Sequence, residues 1–172
     1  HGQYPEKVVW LSTKIPKDEK PERTRFDFDD LHKIAARMNT AMYTAMAYIL
    51  YDSGFRAQEL LSARKEDLSM KAYDDGDECW WIACRESKTQ TREVPIPLFT
   101  DEVNRFTNSG YYKSRDKKEQ LFDVSYRTAL NTIKKHSEAV LGEHVTFHNF
   151  RHSSATYWAD HLTKYELCDR FG

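Results

Sequence analysis

The hydrophobic periodicity of the chain changes twice, which restricts the fold to helices combined with one small sheet. Apolar residues recur at helical spacing before Leu68, follow a strand-like pattern from there to Leu98, and return to helical spacing afterwards. Turn-forming residues, most clearly 74–77, divide the middle stretch into three candidate strands. Pro95 and Pro97 place the third strand at an edge, because proline cannot donate to a central ladder. We therefore predict an α+β fold, a mainly helical domain with a small three-stranded antiparallel sheet.

Capping signals set the expected ends of the helices. Asp27 is predicted to cap the first helix, and Gly54 to end the second, because glycine enters the left-handed region at little cost. Thr163 and Glu166 have the capping-box spacing that begins a final helix. Further helices are predicted at about 58–61, 101–106 behind a Thr100 cap, 125–140 and from about 148 onward, with a charged loop at 111–120.

The composition suits one domain of ordinary size. The 172 residues are 40% hydrophobic, which is enough for a core. Prolines and charges predict an arm or linker over residues 1–25. The formal net charge of -1 gives no overall basic signal for nucleic acid. It does not exclude DNA either, because the acidic run 74–78 can offset a basic face elsewhere.

Cysteine usage and hydropathy predict a soluble cytoplasmic protein. The three cysteines form no CxxC pair, which suits a reducing compartment. Cys79 and Cys84 lie five positions apart on one candidate strand, so we expect them on opposite faces with no bond between them. No apolar stretch is long enough to span a membrane, and no signal-peptide pattern opens the chain.

Two motifs far apart in the chain each place an arginine inside an apolar helical pattern. Arg56 lies in the run 54–60, and Arg151 lies in the run 148–153. Taken alone, Arg56 is better explained as a surface residue or a partner of Glu59, and for Arg151 the structural and functional explanations are equally good. Taken together, two guanidiniums can hydrogen-bond the non-bridging oxygens of one phosphate through planar forks.

Three histidines spaced four apart raise the question of a metal site. His144, His148 and His152 could bind zinc only if one helix carried all three. The β-branched and aromatic run 145–147 places His144 before the helix, and an adjacent Arg151 disfavours a dication, so we predict no metal site. On a helix, His148 and Arg151 share a face and can converge on one ligand, whereas His152 is expected to point inward.

Lys88 lies in the turn between the second and third candidate strands. A solvated turn lysine is the simpler explanation, although a flexible ammonium there can reach a cleft and protonate a leaving oxygen. The sequence has no Walker A, GxGxxG or GxSxG motif, so nucleotide-dependent and serine-hydrolase chemistry lack support.

In order and spacing these motifs resemble the catalytic domain of tyrosine recombinases, the phage integrase family. The run 54–60 resembles the first arginine box of the family, and 87–96 resembles its β-hairpin lysine. The run 148–156 resembles its second arginine box, with Phe150 where leucine is usual. The tail 161–172 resembles integrases of archaeal viruses and plasmids.

The resemblance implies site-specific DNA recombination by a metal-independent transesterification that needs no cofactor and passes through a 3′-phosphotyrosyl intermediate. Arg56 and Arg151 would bind the phosphate, and Lys88 would protonate the departing 5′ oxygen. His148 would assist proton transfer or phosphate binding. The residues expected to support these groups without touching the substrate are Glu59 and His152.

The same resemblance implies that residues 26–172 form a catalytic domain that is incomplete at its C-terminal end. The nucleophilic tyrosine is expected beyond Gly172, since Tyr157 and Tyr165 fall too early in the pattern. An N-terminal DNA-clamping domain would precede the arm in the parent protein. The 172-residue chain alone is therefore expected not to cleave DNA.

Double-stranded DNA attachment sites are the expected partner, bound by a homotetramer that could be monomeric without DNA. Candidate phosphate contacts are Arg64, Lys65, Lys134 and Lys135. Three alternatives remain open: a type IB topoisomerase, a non-catalytic DNA-binding module with the same fold, and a metal-dependent hydrolase built on the histidines.

Overall fold

The computed structural model describes residues 25–73, 76–85 and 91–172. In these ranges eight α-helices and one short 3-10 helix, Lys65–Asp67, accompany a three-stranded sheet. The helices are α1 (Phe28–Arg37), α2 (Ala41–Ser53), α3 (Ala57–Ser62), α4 (Thr100–Thr107), α5 (Gly110–Lys113), α6 (Tyr126–Leu141), α7 (Phe147–Ala159) and α8 (Lys164–Phe171). The strands are β1 (Leu68–Ala72), β2 (Glu78–Cys84) and β3 (Arg92–Ile96). The predicted architecture, mainly helical with a small antiparallel sheet, is confirmed.

Three of the helix ends that the sequence indicated are in place. The Asp27 carboxylate accepts the Asp30 amide at 3.0 Å at the start of α1. Gly54 ends α2 in the left-handed conformation, at φ 63°. The Thr163 amide donates to the Glu166 carboxylate at 2.7 Å, which is one half of the predicted capping box at α8. Local side-chain chemistry therefore decides where these three elements begin or end.

Two local predictions around α4 and α5 were wrong. Thr100 is the first residue of α4 rather than its cap, and its hydroxyl donates back to the Ile96 carbonyl at 3.3 Å. The predicted charged loop 111–120 begins inside α5 instead. The Ser109 hydroxyl accepts the Tyr112 amide at 3.2 Å, so it starts a new helix at the point where the sequence suggested only a break.

The sheet has the order β1-β2-β3, and both neighbouring pairs are antiparallel. Ile82 on the central strand pairs with Leu68 on one side and Val94 on the other, and all three side chains are buried. Strand β3 lies at an edge, as Pro95 within it and Pro97 just after it predicted. Cys79 and Cys84 are both buried and unbonded, in agreement with the expectation that they do not pair.

Helix α2 lies at the centre of the molecule. Every residue from 45 to 53 is buried, and the helix packs against α1, α4, α7 and β3. The burial is so complete that it includes the polar end of the helix, Asp52 and Ser53. Among the described residues, no helix is long and apolar enough to cross a membrane.

A buried ion pair attaches the last helix to this centre. The Arg170 Nη2 atom lies 2.7 Å from Asp52 Oδ1, 2.7 Å from the Asp52 carbonyl and 2.9 Å from the Pro95 carbonyl. The guanidinium also lies over the Trp158 ring at 3.9 Å, and the indole N–H donates to the Asp52 carbonyl at 3.0 Å. One side chain of α8 therefore contacts α2, α7 and β3 together.

Gly54 is predicted to tolerate no side chain, because two independent constraints meet there. Its φ is positive, and an added Cβ would lie 2.1 Å from Phe171 Cε1 on α8. Gly54→Ala should lower the free energy of unfolding by about 1–2 kcal/mol for the left-handed conformation. Overpacking against Phe171 should add about 1–3 kcal/mol. Urea denaturation measures the sum.

Gly142→Ala is the matched control, since Gly142 has φ 74° and no heavy atom within 4 Å of an added Cβ. It should show the conformational cost alone. Equal losses for the two variants would show that α8 does not pack on Gly54 in solution.

Candidate functional site

A buried carboxylate, Glu59, organises the polar cluster at the start of α3. Its side chain is 2% exposed, and its two oxygens accept from Arg92 Nη2 at 2.8 Å and from Arg56 Nη1 at 2.9 Å. The Arg56 backbone amide also donates to Glu59 at 2.8 Å. Burial alone would raise the pKa of Glu59, but the hydrogen bonds from Arg92 and Arg56 outweigh it and lower the pKa. Glu59 is therefore a fixed negative charge between two guanidiniums.

Arg151 approaches this cluster from α7. Its Nη1 donates to the Gly54 carbonyl and its Nη2 to the Phe171 carbonyl, both at 2.7 Å. Burial, followed by the nearby positive charge of Arg56, lowers the pKa of Arg151 to about 10. The guanidinium is consequently still charged at neutral pH.

The structure brings Arg56 and Arg151 together, although they are 95 positions apart in the chain. Arg56 Nη2 lies 3.4 Å from the Gly172 carbonyl, and Arg151 binds the carbonyl of the preceding residue, Phe171. The two guanidiniums thus bind the carbonyl oxygens of consecutive residues at the end of α8. The Arg56 side chain is 37% exposed, so the cluster opens to solvent on its side.

Sequence reasoning did not single out the third arginine of the cluster, Arg92. Its side chain is 5% exposed, and its Nε donates to the Arg170 carbonyl at 3.0 Å. The sequence feature that could have identified Arg92 is its position on β3, where it shares a side of the strand with the buried Val94 and Ile96. A charged residue in such a position needs a partner, and Glu59 supplies it.

The charges of the cluster favour an oxyanion. Arg56, Arg92 and Arg151 contribute three positive charges and Glu59 one negative charge, which leaves a net charge of +2. Planar guanidiniums donate in forks that match the oxygens of a phosphate. The arrangement can therefore hold a phosphate group and stabilise negative charge that develops on it.

The other predicted catalytic residues are placed as follows. His148 is exposed near the start of α7, one helical turn before Arg151, and His152 is half-buried on the same helix. Lys88 lies outside the described residues. His144 precedes α7, as expected, so the three histidines do not share one helix. Within the described ranges, no group of three or more His, Cys, Asp or Glu side chains is arranged to hold a metal ion.

The predicted DNA contacts differ in their accessibility. Arg64 is exposed, whereas Lys65 is half-buried and its Nζ donates to the Arg115 carbonyl at 2.7 Å. On α6, Lys134 is half-buried and Lys135 is exposed. Of these four, Arg64 borders a groove beside α3.

That groove has a volume of about 440 Å³ and a polar, basic lining. It runs beside α3, whose Gln58, Leu61 and Ser62 contribute to its lining. The lining residues are Gln58, Leu61, Ser62, Arg64, Arg85, Lys118, Gln120, Val124 and Tyr126.

Comparison with known proteins identifies a family. The sequence profile of the phage integrase family matches residues 24–164 of this chain. A curated protein, the tyrosine recombinase XerA of Saccharolobus solfataricus, is 28% identical over 153 residues, which cover 87% of this chain and 49% of that protein. The chain thus spans about half the length of this relative.

Solved structures show the same fold at low identity. The crystal structure of a XerA recombinase superposes with a TM-score of 0.66 at 18% identity, covering 96% of this chain and 62% of the other. A XerH site-specific recombinase bound to its difH substrate, in a pre-cleavage complex, gives a TM-score of 0.68 at 15% identity. It covers 96% of this chain and 56% of the other.

Replacement of Glu59 is predicted to destabilise the protein in a pH-dependent way. Glu59→Gln removes the charge that neutralises Arg92, so the free energy of unfolding at neutral pH should fall by about 1–3 kcal/mol. The pKa of Glu59 is below its ordinary value of 4.5. Its contribution is therefore complete above that pH and is lost as the pH falls below it. Urea denaturation of both proteins across this range should show their difference shrinking in acid.

Glu93→Gln is the matched control. Glu93 is 48% exposed and pairs with Lys71, so its loss should change the free energy of unfolding very little at any pH. A Glu59→Gln effect that stays constant from neutral pH into acid would contradict the ionised state of Glu59.

Proposed function

Because the chain belongs to the phage integrase family, we propose that the full-length protein is a tyrosine recombinase that performs site-specific DNA recombination. Its proposed role is to integrate or excise a mobile element, of the kind carried by archaeal viruses or plasmids. The observation that carries the proposal is the convergence of Arg56 and Arg151 on one place beside the buried Glu59–Arg92 pair.

The proposed reaction is a transesterification at a DNA phosphodiester. A tyrosine hydroxyl attacks the scissile phosphorus, a 3′-phosphotyrosyl bond forms, and the bond to the 5′ oxygen breaks. Arg56 and Arg151 bind the two non-bridging oxygens, where negative charge accumulates in the transition state. The ester bond is conserved, so a 5′-hydroxyl of another strand can reverse the step without a metal ion or a cofactor.

Proton transfer is assigned to Lys88 and His148. In this proposal, Lys88 protonates the departing 5′ oxygen, and His148, one turn from Arg151, assists proton transfer or contacts the phosphate. Glu59 acts on the substrate only through Arg56, since its own oxygens are buried. His152 is proposed to support the helix that presents Arg151.

The nucleophile is proposed to be a tyrosine beyond Gly172 in the full-length protein. Two tyrosines on the last two helices described, Tyr157 and Tyr165, are poor alternatives. The Tyr157 ring packs between Phe28, at 4.7 Å, and His161, at 4.3 Å, and burial raises its pKa. Tyr165 is 83% exposed on α8. Aromatic packing explains the presence of Tyr157, and Tyr165 is explained as an exposed surface residue.

Double-stranded DNA is the proposed partner, bound by four copies on two duplexes. The groove beside α3 supports this, because Arg64, Arg85 and Lys118 line it. Phosphate contacts of this kind would set the position of the duplex without reading its sequence. Lys134 and Lys135 on α6, and Lys65 beside Arg64, are proposed as further contacts.

The full-length protein is predicted to form a covalent adduct with DNA. A nicked duplex that carries its attachment site would trap the phosphotyrosyl intermediate, and a denaturing gel run after incubation with chelator would show it. Arg151→Ala should reduce adduct formation by about 100-fold or more, because one charge-stabilising donor group is lost. The 172-residue chain should form no adduct.

Arg105→Ala is the control for a surface arginine, since Arg105 is 75% exposed on α4. Tight DNA binding without any adduct would support the non-catalytic DNA-binding module instead. Cleavage that the chelator abolishes would support the histidine-based hydrolase.

Arg64→Ala is predicted to weaken DNA binding equally for all sequences. Each phosphate contact contributes about 0.9 to the slope of log K against log salt concentration. The slope should therefore fall by about this amount in Arg64→Ala and stay unchanged in Arg105→Ala. Fluorescence anisotropy at several salt concentrations measures this slope. An unchanged slope in Arg64→Ala would show that the groove is not part of the DNA-binding surface.

A further inference from the structure

We propose that Arg92 is a positioning residue that holds both phosphate-binding arginines in place at once. The proposal rests on the proposed function, because it concerns the arrangement of Arg56 and Arg151 for one phosphate. It adds a buried residue whose effect on the reaction passes through the Glu59 side chain and the backbone at the end of α8.

Arg92 reaches Arg56 through Glu59. Its two terminal nitrogens lie 2.8 Å and 3.4 Å from the two Glu59 oxygens, so the guanidinium and the carboxylate face each other as forks. This contact fixes the plane of the carboxylate. The same carboxylate binds Arg56 twice, through the side chain at 2.9 Å and the backbone amide at 2.8 Å. The orientation of Arg56 thus follows from that of Glu59.

Arg92 reaches Arg151 through the end of α8. Its Nε donates to the Arg170 carbonyl at 3.0 Å, and the next carbonyl in the chain, that of Phe171, accepts from Arg151. The carbonyl after that, of Gly172, accepts from Arg56. Arg92 therefore binds the first of three consecutive backbone carbonyls, and Arg151 and Arg56 bind the other two.

The position of Arg92 separates it from the substrate. Its side chain is 5% exposed compared with 37% for Arg56, and its guanidinium packs against the Phe55 ring at 5.0 Å. A lysine at this position could restore the charge but not the pair of parallel hydrogen bonds or the Nε donor. The geometry points to a role that requires a guanidinium.

Guanidinium NMR on the full-length protein tests the positioning directly. Rotation about the Nε–Cζ bonds of Arg56 and Arg151 should be slow in the wild type and about tenfold faster in Arg92→Met and Arg92→Lys. Arg105, which is exposed on α4, should be unaffected. Unchanged rotation of Arg56 and Arg151 in both variants would overturn the proposal.

Adduct formation on the nicked duplex tests the consequence for the reaction. At saturating DNA, both Arg92 variants should form the adduct about 10- to 100-fold more slowly, because small displacements of positioning groups have effects of this size. The DNA dissociation constant should change less than about threefold, since Arg92 is buried. In a Glu59→Gln background, Arg92→Met should slow the reaction further, but by a smaller factor than in the wild type, because its hydrogen bond to the Arg170 carbonyl is independent of Glu59, whereas its ion pair with Glu59 is already lost.

Lys71→Met is the matched control, because Lys71 forms an exposed ion pair with Glu93, the neighbour of Arg92. Lys71→Met should leave the guanidinium rotation of Arg56 and Arg151 and the rate of adduct formation unchanged. If Arg92→Met does not fold, Arg92→Lys decides. A folded Arg92→Lys variant that forms the adduct at the wild-type rate would overturn the proposal, and one that forms it slowly would support it. If the wild type forms no adduct, the proposed function fails, while the NMR result still decides the role of Arg92.

Discussion

The buried pair between Asp52 and Arg170 is the interaction on which the arrangement of this molecule depends. Asp52 is fully buried at the end of the central helix, and Arg170 is the side chain through which α8 reaches it. Two charges removed from water are tolerated only when their hydrogen bonds are satisfied. Here they are, because Asp52 also accepts the Leu98 amide at 2.8 Å and Arg170 also binds the Pro95 carbonyl. The pair specifies one position for α8 rather than a range of positions.

The position of α8 also determines the arrangement of the candidate site. The carbonyls of Phe171 and Gly172, immediately after Arg170, are the groups that Arg151 and Arg56 bind. The Phe171 ring meanwhile fills the space that the missing side chain of Gly54 leaves. Arg56, Arg92 and Arg151 thus bind the carbonyls of three consecutive residues at the end of α8. The contacts of Arg170 and Arg92 hold the end of α8 in place. Arg56 and Arg151 bind the carbonyls at that end.

Much of the fold followed from the sequence because it is determined locally. The periodicity change at Leu68, the Asp27 cap and the Gly54 stop each act within a few residues, and the structure confirms them. Thr100 was misjudged because a hydroxyl can also donate backward to a carbonyl, here that of Ile96. In the site, Arg56, Glu59 and Arg151 belong to recognisable motifs, and the structure brings them together. Arg92 and Arg170 were not identified, since their roles depend on partners 33 and 118 positions away, and no local pattern shows such pairs.

The separation of 118 positions between Asp52 and Arg170 has a consequence for the order of events during synthesis. Helix α2 and the first arginine motif leave the ribosome long before α8, at a rate of about 5–20 residues per second. Until α8 emerges, Asp52 has no counter-charge and Arg151 lacks the Phe171 carbonyl. A nascent chain therefore carries the parts of the site in an unassembled form for several seconds. Helix α8 supplies the partner of Asp52 and the carbonyl groups that Arg56 and Arg151 bind, so the arginine cluster reaches this arrangement only after α8 has been made.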